Sequence, residues 1–146
     1  MKKMFLLIAI VLLILLLPNK SSSVAPVPVK TDLDASTLYS LIQKWRADNG
    51  LNQYETAEGL CKIASLRLEQ VKEDWSHSQF QGNWTWEYTK MARVGENLAK
   101  DYTFEGLLLI DWLKSPTHRA NLDDKNFDYS CIRCSGTYCV QMFGSY

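Results

Sequence analysis

The stretch that decides the fold of this chain is Ser115-Pro116-Thr117-His118-Arg119-Ala120-Asn121-Leu122. A serine followed by a proline is typical of a helix start, because serine can cap the free amides and proline suits the first helical position. His118 then lies in the first turn, where the positive end of the helix dipole disfavours a protonated imidazole. We therefore expect a neutral His118, which is the form that binds a metal or accepts a proton.

Two further stretches bear on the same chemistry, Trp75-Ser76-His77-Ser78 and Val94-Gly95-Glu96-Asn97-Leu98. The chain has only two histidines, His77 and His118, and Glu96 lies between them in sequence. We predict that the fold brings His77, Glu96 and His118 into one cleft.

The second of these stretches has the pattern of a short strand, at 94–99. On an extended chain, Val94, Glu96 and Leu98 point to one face, so the carboxylate lies among apolar neighbours. A carboxylate in such surroundings is costly unless it is paired or protonated. The pattern therefore predicts a cation or a hydrogen-bond donor beside Glu96.

Hydrophobic periodicity predicts the other elements. They are helices at about 36–49, 55–72 and 103–114, a short helix opened by Ser115-Pro116, an irregular aromatic stretch at 75–93, and a hairpin of 127–133 with 138–143. Apolar residues surround most of the helix at 103–114, so we expect it to be the most buried helix, with Thr103 as its cap. In the helix at 55–72, Cys61 falls on the apolar stripe and Arg67 falls largely on the other side.

The N-terminal region is typical of an exported protein. Lys2 and Lys3 precede an uncharged apolar run at 4–17, which resembles a signal peptide and is short for a membrane-spanning helix. Pro26 follows the small-residue site at 23–25 and disfavours cleavage there, so an uncleaved N-terminal membrane anchor is the alternative. We predict a signal peptide or anchor at 1–18, a Ser/Pro-rich linker at 19–33 and one domain at 34–146, located outside the cell or on its surface.

The charge balance argues against a nucleic-acid partner. The chain has 16 Lys and Arg against 16 Asp and Glu, and removal of 1–25 would take away lysines alone and leave the domain net negative. Nucleic-acid surfaces need a basic stripe. We therefore expect an extracellular ligand, no nucleic acid, and membrane contact only through the N-terminal segment.

The four cysteines are interpreted as two disulfides, because disulfides persist in exported chains. Three pairings are possible, and the Cys131-Ile132-Arg133-Cys134 spacing also matches a zinc knuckle. A hairpin turn at Ser135-Gly136 would place Cys134 diagonally across from Cys139, at the limit of disulfide reach. The preferred pairing is Cys61–Cys131 and Cys134–Cys139.

Taken together, these motifs resemble the CAP superfamily, whose domain is also called the SCP domain and occurs in cysteine-rich secretory, antigen 5 and plant pathogenesis-related proteins. The resemblance covers about residues 36–143 and depends on the order and spacing of five short motifs. They are Leu51-Asn52, Trp75-Ser76-His77, Gly95-Glu96-Asn97-Leu98-Ala99, the segment from Trp112 to Leu122, and Val140-Gln141-Met142-Phe143-Gly144. The Ser-Pro-x-His-Arg-x-Asn form is similar to the short bacterial branch. The resemblance implies an α/β fold, a three-layer α/β/α sandwich with a small antiparallel sheet between helices and an open cleft.

The resemblance also implies a metal site. In many members the cleft carries two His and two Glu that can bind zinc or another divalent cation. Matched residue by residue, His77, Glu96 and His118 would be the binding cleft and the metal ligands, while Ser115 stands where the family has its second Glu. Two imidazoles and one carboxylate would leave the fourth position of a zinc ion open, as in catalytic sites.

The sequence favours a non-enzymatic extracellular binding module for a lipid, a peptide or an envelope component. The alternative is a metal-dependent hydrolase acting on peptide or cell-wall material. No nucleophile with an activating base is readable, so no catalytic residue is assigned. A purely structural role is also open, in which Glu96 accepts hydrogen bonds from both imidazoles and holds the helices to the sheet.

Overall fold

A computed structural model describes residues 32–80 and 84–146, without the side chains of residues 84–86. The predicted signal or anchor segment, and nearly all of the predicted linker, lie outside the described residues. None of the helices in the described ranges has the length and apolar character that crossing a membrane requires.

The described chain alternates helices with three strands. In chain order the elements are α1 (Ala35–Asp48), α2 (Glu58–Glu73), a 3₁₀ turn (Ser78–Phe80), α3 (Trp84–Thr89), β1 (Arg93–Ala99), α4 (Glu105–Lys114), α5 (Pro116–Asp123), β2 (Tyr129–Ser135) and β3 (Tyr138–Ser145). The prediction of an irregular stretch at 75–93 was therefore wrong where the 3₁₀ turn and α3 form. The other elements were predicted to within a few residues at their ends.

The three strands form one antiparallel sheet in the order β1-β3-β2. Helix α2 packs on one face, where its apolar side meets Leu98, Val140 and Met142. Helices α1, α4 and α5 cover the other face, where Leu108, Trp112 and Leu122 join Phe143 in the second core. The helices thus enclose the sheet from both sides, and the predicted three-layer α/β/α sandwich is confirmed.

Both preferred disulfides form, Cys61–Cys131 between α2 and β2 and Cys134–Cys139 within the hairpin. The predicted position of the hairpin turn was wrong by one residue, because the turn is Gly136-Thr137, and Cys134 therefore lies directly opposite Cys139 instead of diagonally across from it. Gly136 has φ +56°, a conformation that glycine adopts without a steric penalty. The turn thus brings the two cysteines face to face.

Helix α4 is less buried than its composition predicted. Phe104, Leu107 and Ile110 are 59%, 57% and 46% exposed, whereas Leu108 and Trp112 are buried. An outer-layer helix can present only one side to the core, so its remaining apolar residues face solvent.

The predicted side-chain caps on α4 and α5 do not form. Phe104, not Thr103, occupies the N-cap position of α4. Ser115 is at the N-cap of α5 with Pro116 following, as predicted, but its hydroxyl contacts the Thr117 hydroxyl at 3.2 Å rather than a backbone amide. The start of α5 is thus set by Pro116 and by the backbone hydrogen bond from the Arg119 amide to the Ser115 carbonyl, and not by a side-chain cap.

The two disulfides should contribute differently to stability. Cys61–Cys131 closes a loop with a sequence separation of 70 residues, against 5 for Cys134–Cys139. By loop-closure entropy, replacing Cys61 and Cys131 by serine should lower the free energy of unfolding by about 4 kcal/mol, and the same change at Cys134 and Cys139 by about 2 kcal/mol. Urea unfolding at neutral pH measures both. An equal loss in the two double variants would contradict the prediction.

Candidate functional site

The candidate residues approach one edge of the sheet from opposite faces. Strand β1 is an edge strand, and its side chains alternate so that Glu96 faces α2 while Asn97 faces α5. His77 follows α2 on the first side, and His118 lies in the first turn of α5 on the second. The edge of β1 is therefore the place where the three motifs meet.

Glu96 is held by a buried arginine. Arg67 of α2 donates from Nε to Oε2 at 2.6 Å and from Nη2 to Oε1 at 3.1 Å. The two side chains are 0% and 1% exposed. The sequence pattern predicted a cation beside Glu96, and that cation is Arg67, which sequence periodicity had wrongly placed away from the buried side of α2.

Arg67 also fixes the segment that follows α2. Its Nη1 donates to Gln70 Oε1 at 2.7 Å and its Nη2 to the Ser76 carbonyl at 3.0 Å. This second contact anchors the backbone immediately before His77. The sequence showed only a cation six residues after Cys61, and periodicity alone could not distinguish it from a surface residue.

His77 completes the contacts of the carboxylate. Its Nδ1 lies 2.9 Å from Glu96 Oε1, and its side chain is 56% exposed. Because an ionised carboxylate only accepts, Nδ1 donates and Nε2 is the nitrogen available for a ligand. The structure thus brings His77 and Glu96 together, as predicted, with both carboxylate oxygens already accepting hydrogen bonds.

His118 lies on the other side of the β1 edge and makes no hydrogen bond to Glu96. Its ring is partly buried 6.2 Å from the Trp112 ring. Burial, followed by the charge of nearby His77, lowers the pKa of His118 below its ordinary value. The neutral imidazole expected from the sequence is supported, although burial rather than the helix dipole is the main cause.

Two asparagines from the same motifs tie α5 to the strand. Asn97 Nδ2 donates to the His118 carbonyl at 3.1 Å. Asn121 Nδ2 donates to Asn97 Oδ1 at 2.9 Å and to the Glu96 carbonyl at 3.2 Å. The position of His118 against β1 therefore depends on Asn97 and Asn121, whose role the sequence pattern did not predict.

A cleft of about 300 Å³ opens at this edge. Side chains from both faces of the sheet line it: Trp75, Leu98, Ala99, Lys100, Tyr102, Asp111, Trp112, Ser115 and His118. Lys100 Nζ lies 4.9 Å from the Trp75 ring centre, and the Tyr102 hydroxyl donates to Asp111 at 2.9 Å. Of the three predicted site residues, only His118 lines this cleft, while Glu96 is enclosed behind it.

The three predicted ligands, as arranged, do not fit a zinc ion. Both oxygens of Glu96 accept hydrogen bonds from Arg67 and His77. Across the described ranges, no group of three or more His, Cys, Asp or Glu side chains is placed to hold a metal. The binding of zinc or another divalent cation therefore stays a prediction from the resemblance.

Comparisons with known proteins agree with this architecture. The family model described as cysteine-rich secretory protein family, CAP, matches residues 39–143. No curated protein sequence gives a significant match. An outer surface protein from Borrelia burgdorferi is similar with a TM-score of 0.70 and 23% identity, over 78% of this chain and 96% of that one.

Two further solved structures are similar. A cysteine-rich secretory protein from Staphylococcus aureus has a TM-score of 0.71 and 19% identity, over 84% of this chain and 42% of that one. An extracellular protein containing an SCP domain from Bacillus anthracis has a TM-score of 0.68 and 21% identity, over 77% and 40%. This chain therefore corresponds to about two fifths of those proteins, and the likeness concerns the fold.

Replacing Arg67 should lower the free energy of unfolding, because the Glu96 carboxylate would stay buried without its partner. Arg67→Met leaves Glu96 without its cation, and breaking a buried pair from one side costs about 3–5 kcal/mol. Arg67→Met combined with Glu96→Gln removes both charges and should lose clearly less than the sum of the two single changes. Urea unfolding of the four proteins measures the coupling, and additive losses would contradict the buried ion pair.

His118 should make stability depend on pH. Its folded pKa is below 6.5, so the unfolded chain binds this proton more readily. The resulting loss of unfolding free energy is absent above pH 6.5 and grows as the pH falls from there through the folded pKa. We expect NMR titration of the two imidazoles to give a low pKa for His118 that rises partly in His77→Gln.

The matching measurement compares the stability of His118→Gln with that of the wild type. Between about pH 7 and about pH 5, the free energy of unfolding should fall less in the variant than in the wild type. An identical decline in both proteins would contradict a lowered pKa for His118.

Proposed function

From the premise that this chain belongs to the cysteine-rich secretory protein (CAP) family, we propose that the domain is a non-enzymatic extracellular binding module. The ligand site is the cleft at the β1 edge, between His118 and Trp75. Fold membership alone does not assign an activity, so the proposal depends on the chemistry of this edge.

The bidentate contact of Arg67 with Glu96 carries the proposal. A general base needs a free lone pair directed at its substrate, and a metal ligand needs one directed at the ion. Glu96 presents neither to the cleft, because its oxygens accept three hydrogen bonds from Arg67 and His77 and its side chain is 1% exposed. The carboxylate is therefore assigned to holding the cleft in shape.

The cleft itself suits a small ligand with both apolar and polar parts. Trp75 and Trp112 contribute aromatic surface, and Lys100, Asp111 and His118 add groups of different charge and hydrogen-bonding character. Its volume of about 300 Å³ is at the lower end for ligand pockets. Of the expected ligand classes, a peptide side chain or a fragment of an envelope component fits this volume better than a whole lipid.

One observation favours the alternative of a metal-dependent hydrolase. Histidines that bind a metal through one nitrogen usually donate the other N–H to a carboxylate, and His77 Nδ1 meets Glu96 in that way. This arrangement would make Glu96 an outer partner of the histidine and leave only two imidazoles as ligands. Because a catalytic zinc site uses three protein ligands, we keep the binding module as the proposal.

The binding test uses intrinsic tryptophan fluorescence and thermal shift with two probe classes, short peptides and muramyl peptides. We expect saturable binding that is weakened at least about tenfold in Trp75→Ala and His118→Ala, since each removes a group that lines the cleft. Lys44→Ala, on an exposed position of α1, is the matched control and should bind as the wild type does.

A second measurement separates the two functions. Calorimetry with zinc at near-neutral pH, together with an assay for hydrolysis of the same peptides, compares the wild type with Glu96→Gln. Stoichiometric zinc binding and metal-dependent turnover, both lost in Glu96→Gln, would overturn the binding module in favour of the hydrolase.

A further inference from the structure

We propose that the Cys61–Cys131 disulfide is a site of thiol–disulfide exchange, at which a low-molecular-weight thiol attacks Cys61 and displaces Cys131. The proposal concerns the face of the domain between α1, α2 and β2, and it does not depend on the function of the β1 cleft.

An open cavity of about 600 Å³ gives a thiol access to this disulfide. Both cysteines line it, together with Tyr39 of α1 and Arg133 of β2. The volume is within the range of small-molecule pockets. A small thiol can therefore reach the disulfide without unfolding of the domain.

The two sulfurs differ in exposure. Cys61 is partly exposed, whereas Cys131 is 3% exposed. Exchange depends on which sulfur is accessible to the attacking thiolate. Access therefore selects Cys61 as the sulfur attacked and leaves Cys131 as the leaving group.

Arg133 favours the same direction. Its Nη1 lies 3.2 Å from Cys131 Sγ and donates to the Ile132 carbonyl at 3.0 Å, which holds the guanidinium beside the sulfur. A thiolate that departs from the disulfide at Cys131 is stabilised by this cation, and a better-stabilised thiolate leaves faster.

The electrostatic surroundings of Cys61 stabilise a thiolate less than those of Cys131 do. Cys61 lies at the end of the first turn of α2, where the helix dipole stabilises negative charge. Glu58, three residues earlier on the same helix face, opposes that effect. Another carboxylate lining the cavity, that of Asp34, is held by the amide and hydroxyl of Ser36. The full charge of Arg133 in contact with Cys131 therefore decides which thiolate leaves.

The exchange balances without an added oxidant or reductant other than the thiol. The incoming thiolate forms a bond to Cys61 Sγ as the Cys61–Cys131 bond breaks, and the electron pair of that bond moves to Cys131 Sγ. The products are a mixed disulfide on Cys61 and a thiolate at Cys131 beside Arg133. Attack of that thiolate on the mixed disulfide reverses the step and releases the thiol.

The experiment begins from the oxidised, folded protein and uses reduced glutathione as the probe. Short incubations are stopped with acid, free thiols are alkylated after removal of the glutathione, and peptide mass spectrometry locates each group. We expect glutathione on Cys61, the alkyl group on Cys131, and less modification of Cys134–Cys139, because Cys134, although partly exposed like Cys61, does not line the cavity.

The matched variants are Arg133→Gln, which removes the charge, and Arg133→Lys, which retains it. Both keep the disulfide, so circular dichroism checks the fold before thiol is added. Arg133→Gln should slow the initial exchange about threefold, with Arg133→Lys between that variant and the wild type. Lys44→Gln, a change of exposed charge on α1, should leave the rate unchanged.

Two results would overturn the proposal. Glutathione found first on Cys131, or on the hairpin disulfide, would contradict the assignment of the attacked sulfur. A rate in Arg133→Gln equal to that of the wild type would contradict the role of the guanidinium.

Discussion

The buried ion pair between Arg67 and Glu96 is the interaction on which the site depends. A carboxylate without solvent is tolerated only with a cation and with hydrogen bonds to its oxygens, and here Arg67 and His77 supply both. Arg67 reaches Glu96 from α2 and also holds the Ser76 carbonyl, so one guanidinium links the helix, the strand and the loop that carries His77. The pair thereby fixes the register of α2 against the edge of the sheet.

The opposite side of the same edge is organised by neutral hydrogen bonds. The Glu96 and Leu98 carbonyls, on the edge strand, accept from Asn121 Nδ2 and Trp112 Nε1. These contacts engage backbone groups that an open strand edge would offer to another chain. They also bring α4 and α5 against β1, and Trp112, which protects the strand in this way, also lines the cleft.

Much of the architecture was predictable because it follows from periodicity and from local rules. The apolar stripes located α1 and α2, and Ser115-Pro116 located the start of α5. Three features were mispredicted for one physical reason, which is that a neighbouring element decides them. Arg67 is buried because Glu96 faces it, Leu107 is exposed because nothing in the described chain covers that side of α4, and the hairpin turns at Gly136 where Cys134 meets Cys139.

In the candidate site, too, some features follow from the sequence and others from the tertiary structure. The residue types and their alternation determined by themselves that Glu96 lies among apolar neighbours and requires a positive or donating partner. Only the tertiary structure showed that Arg67 is this partner, and that His118 lines the cleft whereas Glu96 does not. The reason is that a short-range pattern specifies which way a side chain points, whereas the identity of its partner depends on which distant segment packs against it.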